Sequence, residues 1–384
     1  MKNGMNSNSL PFSRNVWFKP QQSTPWLTIC LVYLVHQFIV FSSGYFGQSL
    51  LAGRKAHLEP VVTILKGLTR WDGGWYLRIA TEGYTFKSAA FFPLYPLLIR
   101  TLQGMGIAPE TGALLIPNLS FFLILVVFYR LVSLDYDDSV AVRSLWYLAL
   151  FPTAFYFSAM YTESLYLLLV LLTLYLGRTR QWFLASLCGM LAGMSRNLGI
   201  FLLIPLLYEY WSQENQAFNS PSLKAKVKLL CLALIPAGLG IYMLYLRQVL
   251  GNPLAFMAAQ KFWKRSFDFP WNSIYEAIVN ISVGNNLWNL LFTLYALAFL
   301  ALAVKLLRPG YTMYMFFGLV VPLTSPAVHS PLLSLPRFVL VLFPIYIVLA
   351  LLVKREQVHW ALLCSSTALM VYLHMFFANS RWVA

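Results

Sequence analysis

The 384-residue chain is 59% hydrophobic and 16% aromatic, only 11% of its residues are charged, and its formal net charge is +15. So much apolar content with so little charge excludes an ordinary soluble domain and indicates a polytopic membrane protein. Lys and Arg in loops that touch anionic lipid headgroups account for the positive excess, so nucleic acid is not the expected partner.

In chain order, residues 1–25 are mostly polar, carry Lys2, Arg14 and Lys19, and are followed by an apolar run with no small-residue cleavage site. They read as a cytoplasmic tail before an uncleaved span rather than as a signal peptide. Apolar length then predicts an all-α protein with about eleven transmembrane helices, at 26–46, 111–132, 141–158, 162–177, 181–195, 198–211, 227–248, 287–306, 312–328, 336–353 and 358–377. Several fall short of the ~20 residues an upright helix needs, so they are expected to tilt, break or flank a cavity. The chain reads as a single integral-membrane domain over 1–384, with a long first loop at 47–110, an amphipathic loop at 249–286 and an interfacial or re-entrant piece at 94–107.

Short-loop Lys and Arg set the orientation. Arg130 and Arg143, Arg178 and Arg180, Lys224 to Lys228, Lys305 and Arg308, and Lys354 and Arg355 all fall on one side, the cytoplasmic one. Fusing 181–211 into one span would scatter these charges, so a break is predicted near Ser195-Arg196-Asn197. The loops at 47–110 and 249–286 then face the opposite side, together with Asp72, Glu163, Arg196 and Arg337. Cys30, Cys188, Cys231 and Cys364 lie in apolar runs without ligand spacing, and the five histidines are scattered. They predict neither disulfide nor metal site, and no cofactor is expected.

The most polar stretch among the apolar runs is Arg70 to Pro96, RWDGGWYLRIATEGYTFKSAAFFPLYP. It sets Asp72 between Trp71 and Trp75, with Gly73 and Gly74 letting the backbone turn around the carboxylate. Tyr76, Arg78, Glu82 and Lys87 follow. A purely structural reading is an interfacial aromatic belt; a functional one is a carboxylate poised at a water–lipid boundary. Glu163 likewise reads either as a helix-start acid capped by Thr162 or as an acceptor-binding carboxylate or a partner for Arg196. Arg196, set within an apolar run, is either a snorkelling side chain or an anion site. Between Phe256 and Trp271 the second loop interleaves Lys261, Lys264 and Arg265 with Phe262, Trp263, Phe267 and Phe269. That reads first as a segment lying on headgroups, and second as the border of a lipid-linked substrate.

Trp71-Asp72, Trp75, Ile79-Ala80, Gly83-Tyr84 and the run Phe91 to Pro96 occur in an order that resembles the PIG-V family, within the GT-C superfamily of glycosyltransferases. Phe151 to Phe155, Tyr161-Thr162-Glu163-Ser164, Ser195-Arg196-Asn197 and the weaker Leu335 to Phe338 extend the resemblance from about residue 70 to about residue 345. It implies a mannosyltransferase-like enzyme that inverts configuration, with Asp72 the matching acid. The chain is more compact than the eukaryotic members, which points to a bacterial-type enzyme of the inner membrane (the endoplasmic reticulum if eukaryotic) and away from GPI as acceptor.

Transfer outside the cytoplasm calls for a polyprenyl- or dolichyl-phosphate sugar as donor and a hydroxyl of a glycan, lipid or protein as acceptor. Asp72 fits the general base. Arg196 with Asn197, and secondarily Arg337, fit the donor phosphate. Trp71, Trp75, Tyr76, Arg78, Tyr161 and Glu163 are candidates to bind or orient substrate. The competing reading is a transporter or flippase of lipid-linked sugars, which would carry polar residues through the bilayer centre and often paired repeats; a non-catalytic scaffold is a third.

Overall fold

The computed structural model describes residues 23–51, 60–213 and 223–383. Most of the predicted tail and most of the polar segment 212–222 lie outside the described residues. The chain forms α1 (Trp26–Leu51), α2 (Pro60–Leu68), α3 (Asp72–Glu82), α4 (Leu94–Gly104), α5 (Pro109–Val132), α6 (Asp138–Ala149), α7 (Glu163–Arg178), α8 (Trp182–Ser195) and α9 (Leu203–Gln213). Then come α10 (Leu223–Cys231), α11 (Leu234–Leu250), α12 (Ala255–Phe262), α13 (Pro270–Val279), α14 (Asn286–Leu306), α15 (Pro309–Leu323), α16 (Leu335–Leu340), α17 (Pro344–Leu352) and α18 (Glu356–Ala378). Among the described residues there is no strand, only isolated bridges joining Ala327 to Arg265 and to Ser330.

Among the described residues, five helical segments are long and apolar enough to cross a bilayer: Trp26–Ser49, Pro109–Val132, Lys226–Leu250, Asn286–Leu306 and Glu356–Ala378. Each coincides with a predicted span. Other predicted spans are divided. The one at 141–158 stops as a helix at Ala149 and continues as a turn and a short 3-10 segment, Ala154–Phe157; Pro152 has no N–H for a continuing helix. The one at 336–353 divides into α16 and α17, with Pro344 opening the second piece. The predicted break near Arg196 is present: α8 ends at Ser195, Arg196 is extended at φ −152° and ψ 147°, and the 3-10 turn Asn197–Leu202 folds back on α8. Gly199 lies directly against the Ala192–Gly193 backbone, where a β-carbon would collide.

At the centre stands α7, packed between α5 and α8 and buried over most of its length. Its charges are confined to its ends, Glu163 and Arg178. At ~1.5 Å per residue a helix of this length separates them by more than 20 Å. Small residues let neighbouring helices approach, as membrane bundles require: Gly189 of α8 faces Ile235 of α11, and Gly238 of α11 sits on the Met190 carbonyl.

The Arg178 end carries paired cations from three of the basic loops, Arg143, Arg178 and Arg308. Arg178 binds Asp135 through two nitrogens at 2.6 and 2.8 Å, and its Nε lies 3.3 Å from Glu209. Arg308 reaches both acids at 3.4 Å, and Tyr311 donates to Asp135. Arg143 pairs with Glu356 at 2.5 Å.

The opposite end is roofed by the two long loops, which dock on each other. Trp263 Nε1 donates to the Lys87 carbonyl at 3.3 Å and Lys87 Nζ lies 4.3 Å above the Phe262 ring, while Tyr242 of α11 donates to Ala89 O at 2.8 Å. The predicted interfacial piece at 94–107 is α4, where Tyr95, fully buried, donates to the Ala113 carbonyl of α5.

Candidate active site

The end of the bundle beneath these loops holds a chain of charges. Arg337, in the first turn of α16, donates from Nη1 to Asp72 Oδ2 at 2.7 Å and from Nε to Glu163 Oε1 at 2.8 Å. Arg196 Nη2 approaches the same Glu163 oxygen at 2.6 Å. The order Asp72–Arg337–Glu163–Arg196 thus joins the first residue of α3, α16, the first residue of α7 and the residue that closes α8. Glu163 is completely buried, and its charge is offset by two guanidiniums, the condition under which a buried carboxylate stays ionised.

Aromatic rings hold the cations in place. The Arg337 guanidinium lies 4.5 Å from the Tyr161 ring and 5.3 Å from Tyr156, and Arg196 lies between Tyr166 at 5.7 Å and Phe338 at 5.8 Å. Thr162 does not cap α7 with its side chain, contrary to the structural reading of Glu163; its hydroxyl instead accepts from Arg196 Nε at 2.9 Å. Tyr161 OH accepts from the Asp72 backbone N–H at 3.4 Å, and Tyr76 OH lies 3.5 Å from Thr162 Oγ1. Burial raises the Tyr76 phenol to about 12, so it remains a neutral hydrogen-bonding group.

Asp72 opens onto a cavity of about 530 Å³ whose wall also includes Trp71, Trp75, Phe91, Trp263, Arg265 and Trp382. Trp75 stacks with Phe91 at 5.9 Å and meets Trp263 edge-on at 5.5 Å, and Trp71 meets Trp382 edge-on at 5.3 Å. Arg337 uses only Oδ2 of Asp72, and Oδ1 accepts no hydrogen bond among the described residues. The carboxylate is therefore oriented by one oxygen and has the other available.

Of the four charged residues expected on this side, Asp72 forms part of the cavity wall, while Arg337, Glu163 and Arg196 stand behind it. Tyr76 points inward and is buried, and Arg78 is exposed, stacked over Trp75 at 5.3 Å. Asn197 is exposed at the start of the 3-10 turn.

Three residues with strained backbones border this site. Trp71 has φ 55° and ψ −112°, Lys264 has φ 56°, and Ser334 has φ 71°. None is glycine, so each conformation costs on the order of 1–3 kcal/mol and persists because its surroundings impose it. Trp71 delivers Asp72, Lys264 precedes Arg265, and Ser334 starts the turn that carries Arg337. Gly73 and Gly74, by contrast, are helical and supply no unusual turn. Gly73 faces Met160, where a β-carbon would come within 3.2 Å of its carbonyl oxygen, whereas Gly74 faces open space.

Arg265 is the feature of the site that the sequence placed elsewhere. Trp263 and Arg265 belong to the cavity wall, while Phe267, Phe269 and Trp271 remain exposed as a headgroup-facing segment would. Arg265 donates from Nη1 to Ser325 O at 3.0 Å and from Nη2 to Leu333 O at 3.2 Å, and pairs with no carboxylate among the described residues. Desolvation lowers its guanidinium to about 10, against the pull of Asp72. Trp382 was equally hidden, because it reaches the site from the end of the chain.

The fold and site together define a polytopic helical membrane protein with a carboxylate–guanidinium chamber at one end of its bundle. The chain belongs to the mannosyltransferase (PIG-V) family, whose profile matches residues 55–267 and so takes in Asp72, Glu163, Arg196 and Arg265. It is 32% identical over 123 residues to GPI mannosyltransferase 2 of Drosophila pseudoobscura pseudoobscura, covering 28% of this chain and 26% of that one. It is also 32% identical over 152 residues to GPI mannosyltransferase 2 of Cryptococcus neoformans var. neoformans, covering 36% of each. The matched region thus spans roughly a third or less of these curated relatives.

Proposed function

We propose that this protein is a membrane glycosyltransferase of mannosyltransferase type. It transfers a sugar from a polyprenyl- or dolichyl-phosphate donor to an acceptor hydroxyl on the extracytoplasmic face. The observation that carries the reading is the Asp72 carboxylate, which lines an aromatic-walled cavity and is held through Oδ2 by Arg337, leaving Oδ1 without a hydrogen bond among the described residues. Family membership supports it.

In this mechanism Asp72 Oδ1 accepts the proton of the acceptor hydroxyl as that oxygen attacks the anomeric carbon. The bond to the lipid phosphate breaks on the opposite face, so the sugar inverts, and the lipid phosphate leaves carrying the electron pair. General-base assistance of this kind is worth roughly 10²–10⁴ in rate. Tryptophan faces in the wall offer flat apolar platforms for the C–H face of a sugar ring. Arg337 orients Asp72, and Glu163 with Arg196 locks Arg337, because each of these buried charges needs its neighbour. Arg196 and Arg337, both engaged by carboxylates, therefore act as orienting residues before they act on a phosphate.

Ionic side chains collect at the two ends of α7 rather than along a path through the bundle, which favours an enzyme over a transporter. The test is direct: purified protein in lipid nanodiscs, given dolichyl-phosphate mannose and a panel of hydroxyl acceptors, should release dolichyl phosphate in step with a new mannoside whose anomeric configuration is opposite to that of the donor. Movement of intact donor between leaflets with no sugar transferred would favour the flippase reading instead.

A further inference from the structure

The ionic groups of the site do not balance. Arg196, Arg337 and Arg265 supply three guanidiniums, and Asp72 and Glu163 supply two carboxylates. Both carboxylates are salt-bridged to Arg196 or Arg337, and Arg265, though Asp72 is near enough to act on it, has no salt-bridge partner among the described residues. A cation set in a partly desolvated wall without a counter-ion is costly unless something anionic reaches it.

Arg265 is also built into place. Its two carbonyl contacts come from Ser325 and Leu333, on either side of the Ala327 bridge. The backbone on both sides of it is tied to the same segment: Lys264 O accepts from Val328 N at 3.1 Å, and Ser266 N donates to Pro326 O at 3.3 Å. The strained φ of 56° at Lys264 is part of this arrangement. Two N–H groups of the guanidinium are used by the carbonyls, which leaves three of its five. A surface arginine of an amphipathic loop would need no such anchoring.

We propose that Arg265 is the binding residue for the phosphate of the lipid-linked donor, holding it across the cavity from Asp72. This rests on the glycosyltransferase reading above and deepens it. The planar fork suits phosphate oxygens and stabilises the charge that grows on them as the glycosidic bond breaks. The phosphate supplies the missing negative charge, and the neighbouring exposed aromatic segment, Phe267 to Trp271, keeps the loop at the lipid surface from which the isoprenoid chain enters.

The test compares binding of dolichyl phosphate and of uncharged dolichol to the full chain in phosphatidylcholine nanodiscs. Wild type should prefer the phosphate by at least tenfold. Arg265→Gln, whose amide can still donate to a carbonyl, should lose that preference while its affinity for dolichol is unchanged, a split that a merely structural role would not produce. Arg265→Lys should retain part of the preference, and Arg247→Gln, the same charge change on an exposed helix end, should keep the wild-type preference. Either folded Arg265 variant keeping the full wild-type preference would overturn the assignment. So would displacement of dolichyl phosphate by an equal mole fraction of phosphatidylglycerol, or by millimolar inorganic phosphate, since Arg265 would then be a general headgroup or anion site. If wild type itself shows no preference for the phosphate, it is the donor class, and not Arg265 alone, that fails.

Discussion

Arg337 binds Asp72 at 2.7 Å although 265 residues separate them in the chain, and this bond ties the start of α3 to the first turn of α16. Arg337 is the shared partner of both acids, so removing it leaves Glu163 with Arg196 alone and Asp72 with no salt-bridge partner among the described residues. Arg337→Met should destabilise the protein by about 3–5 kcal/mol, the range for uncovering one member of a buried pair. Thermal unfolding in detergent reads this; a melting temperature within a degree or two of wild type would mean that Arg337 is dispensable to the fold.

Arg196 and Arg337 converge on one oxygen of Glu163, which predicts non-additive behaviour. Glu163→Gln and Arg196→Gln should each be destabilising, and the double variant should cost less than their sum by roughly 0.5–3 kcal/mol, the coupling seen for groups in one network. A double-mutant cycle on unfolding free energies measures it. Strict additivity would show that the pair contributes nothing jointly.

The two glycines after Asp72 should behave differently. Gly74→Ala enters open space and improves helix propensity, so activity and stability should stay near wild type. Gly73→Ala presses on the Met160 carbonyl, which is approached within 3.2 Å and lies in a residue whose own N–H is bonded to Leu68 O. It should push α3 outward and lower turnover several-fold without changing expression. Equal turnover in the two variants would show that α3 has room to shift.

Orientation can be read by cysteine labelling in a cysteine-free background. Thr81, exposed on α3, and Ser139, exposed beside the N-cap of α6, sit at the two ends of the bundle. An impermeant thiol reagent should modify Thr81→Cys and not Ser139→Cys in intact cells. The reverse pattern would turn the proposed site toward the cytoplasm. Ser88, at first sight a natural labelling position in the first loop, is 2% exposed and bonded within the turn by Thr85, so it is unsuitable.

Local features of the chain were legible where their cause is local. Apolar length located the long helices, and an arginine in an apolar run together with loop charges located the turn at Ser195-Arg196-Asn197. Asp72 stood out because an acid between tryptophans is rare in so apolar a chain. What depended on long-range pairing was hidden. Arg265 reads as one of several basic residues in an aromatic loop until its backbone is paired with the segment around Ala327. Nor did apolar length reveal that 141–158 and 336–353 are broken, because a span and two packed half-spans have the same hydropathy. The strain sits at Trp71, Lys264 and Ser334, where residue type gives no signal, and not at the glycine pair.

If Asp72 takes the acceptor proton, single-turnover sugar transfer by purified Asp72→Asn, with donor pre-bound and binding measured separately, isolates the step at which it acts. Asparagine keeps the shape and can still meet Arg337 through its carbonyl oxygen, but it cannot accept the proton. The rate of the chemical step should fall by roughly 10²-fold or more, with donor affinity and melting temperature close to wild type. A transfer rate within a few-fold of wild type in the folded, donor-loaded variant would contradict the account.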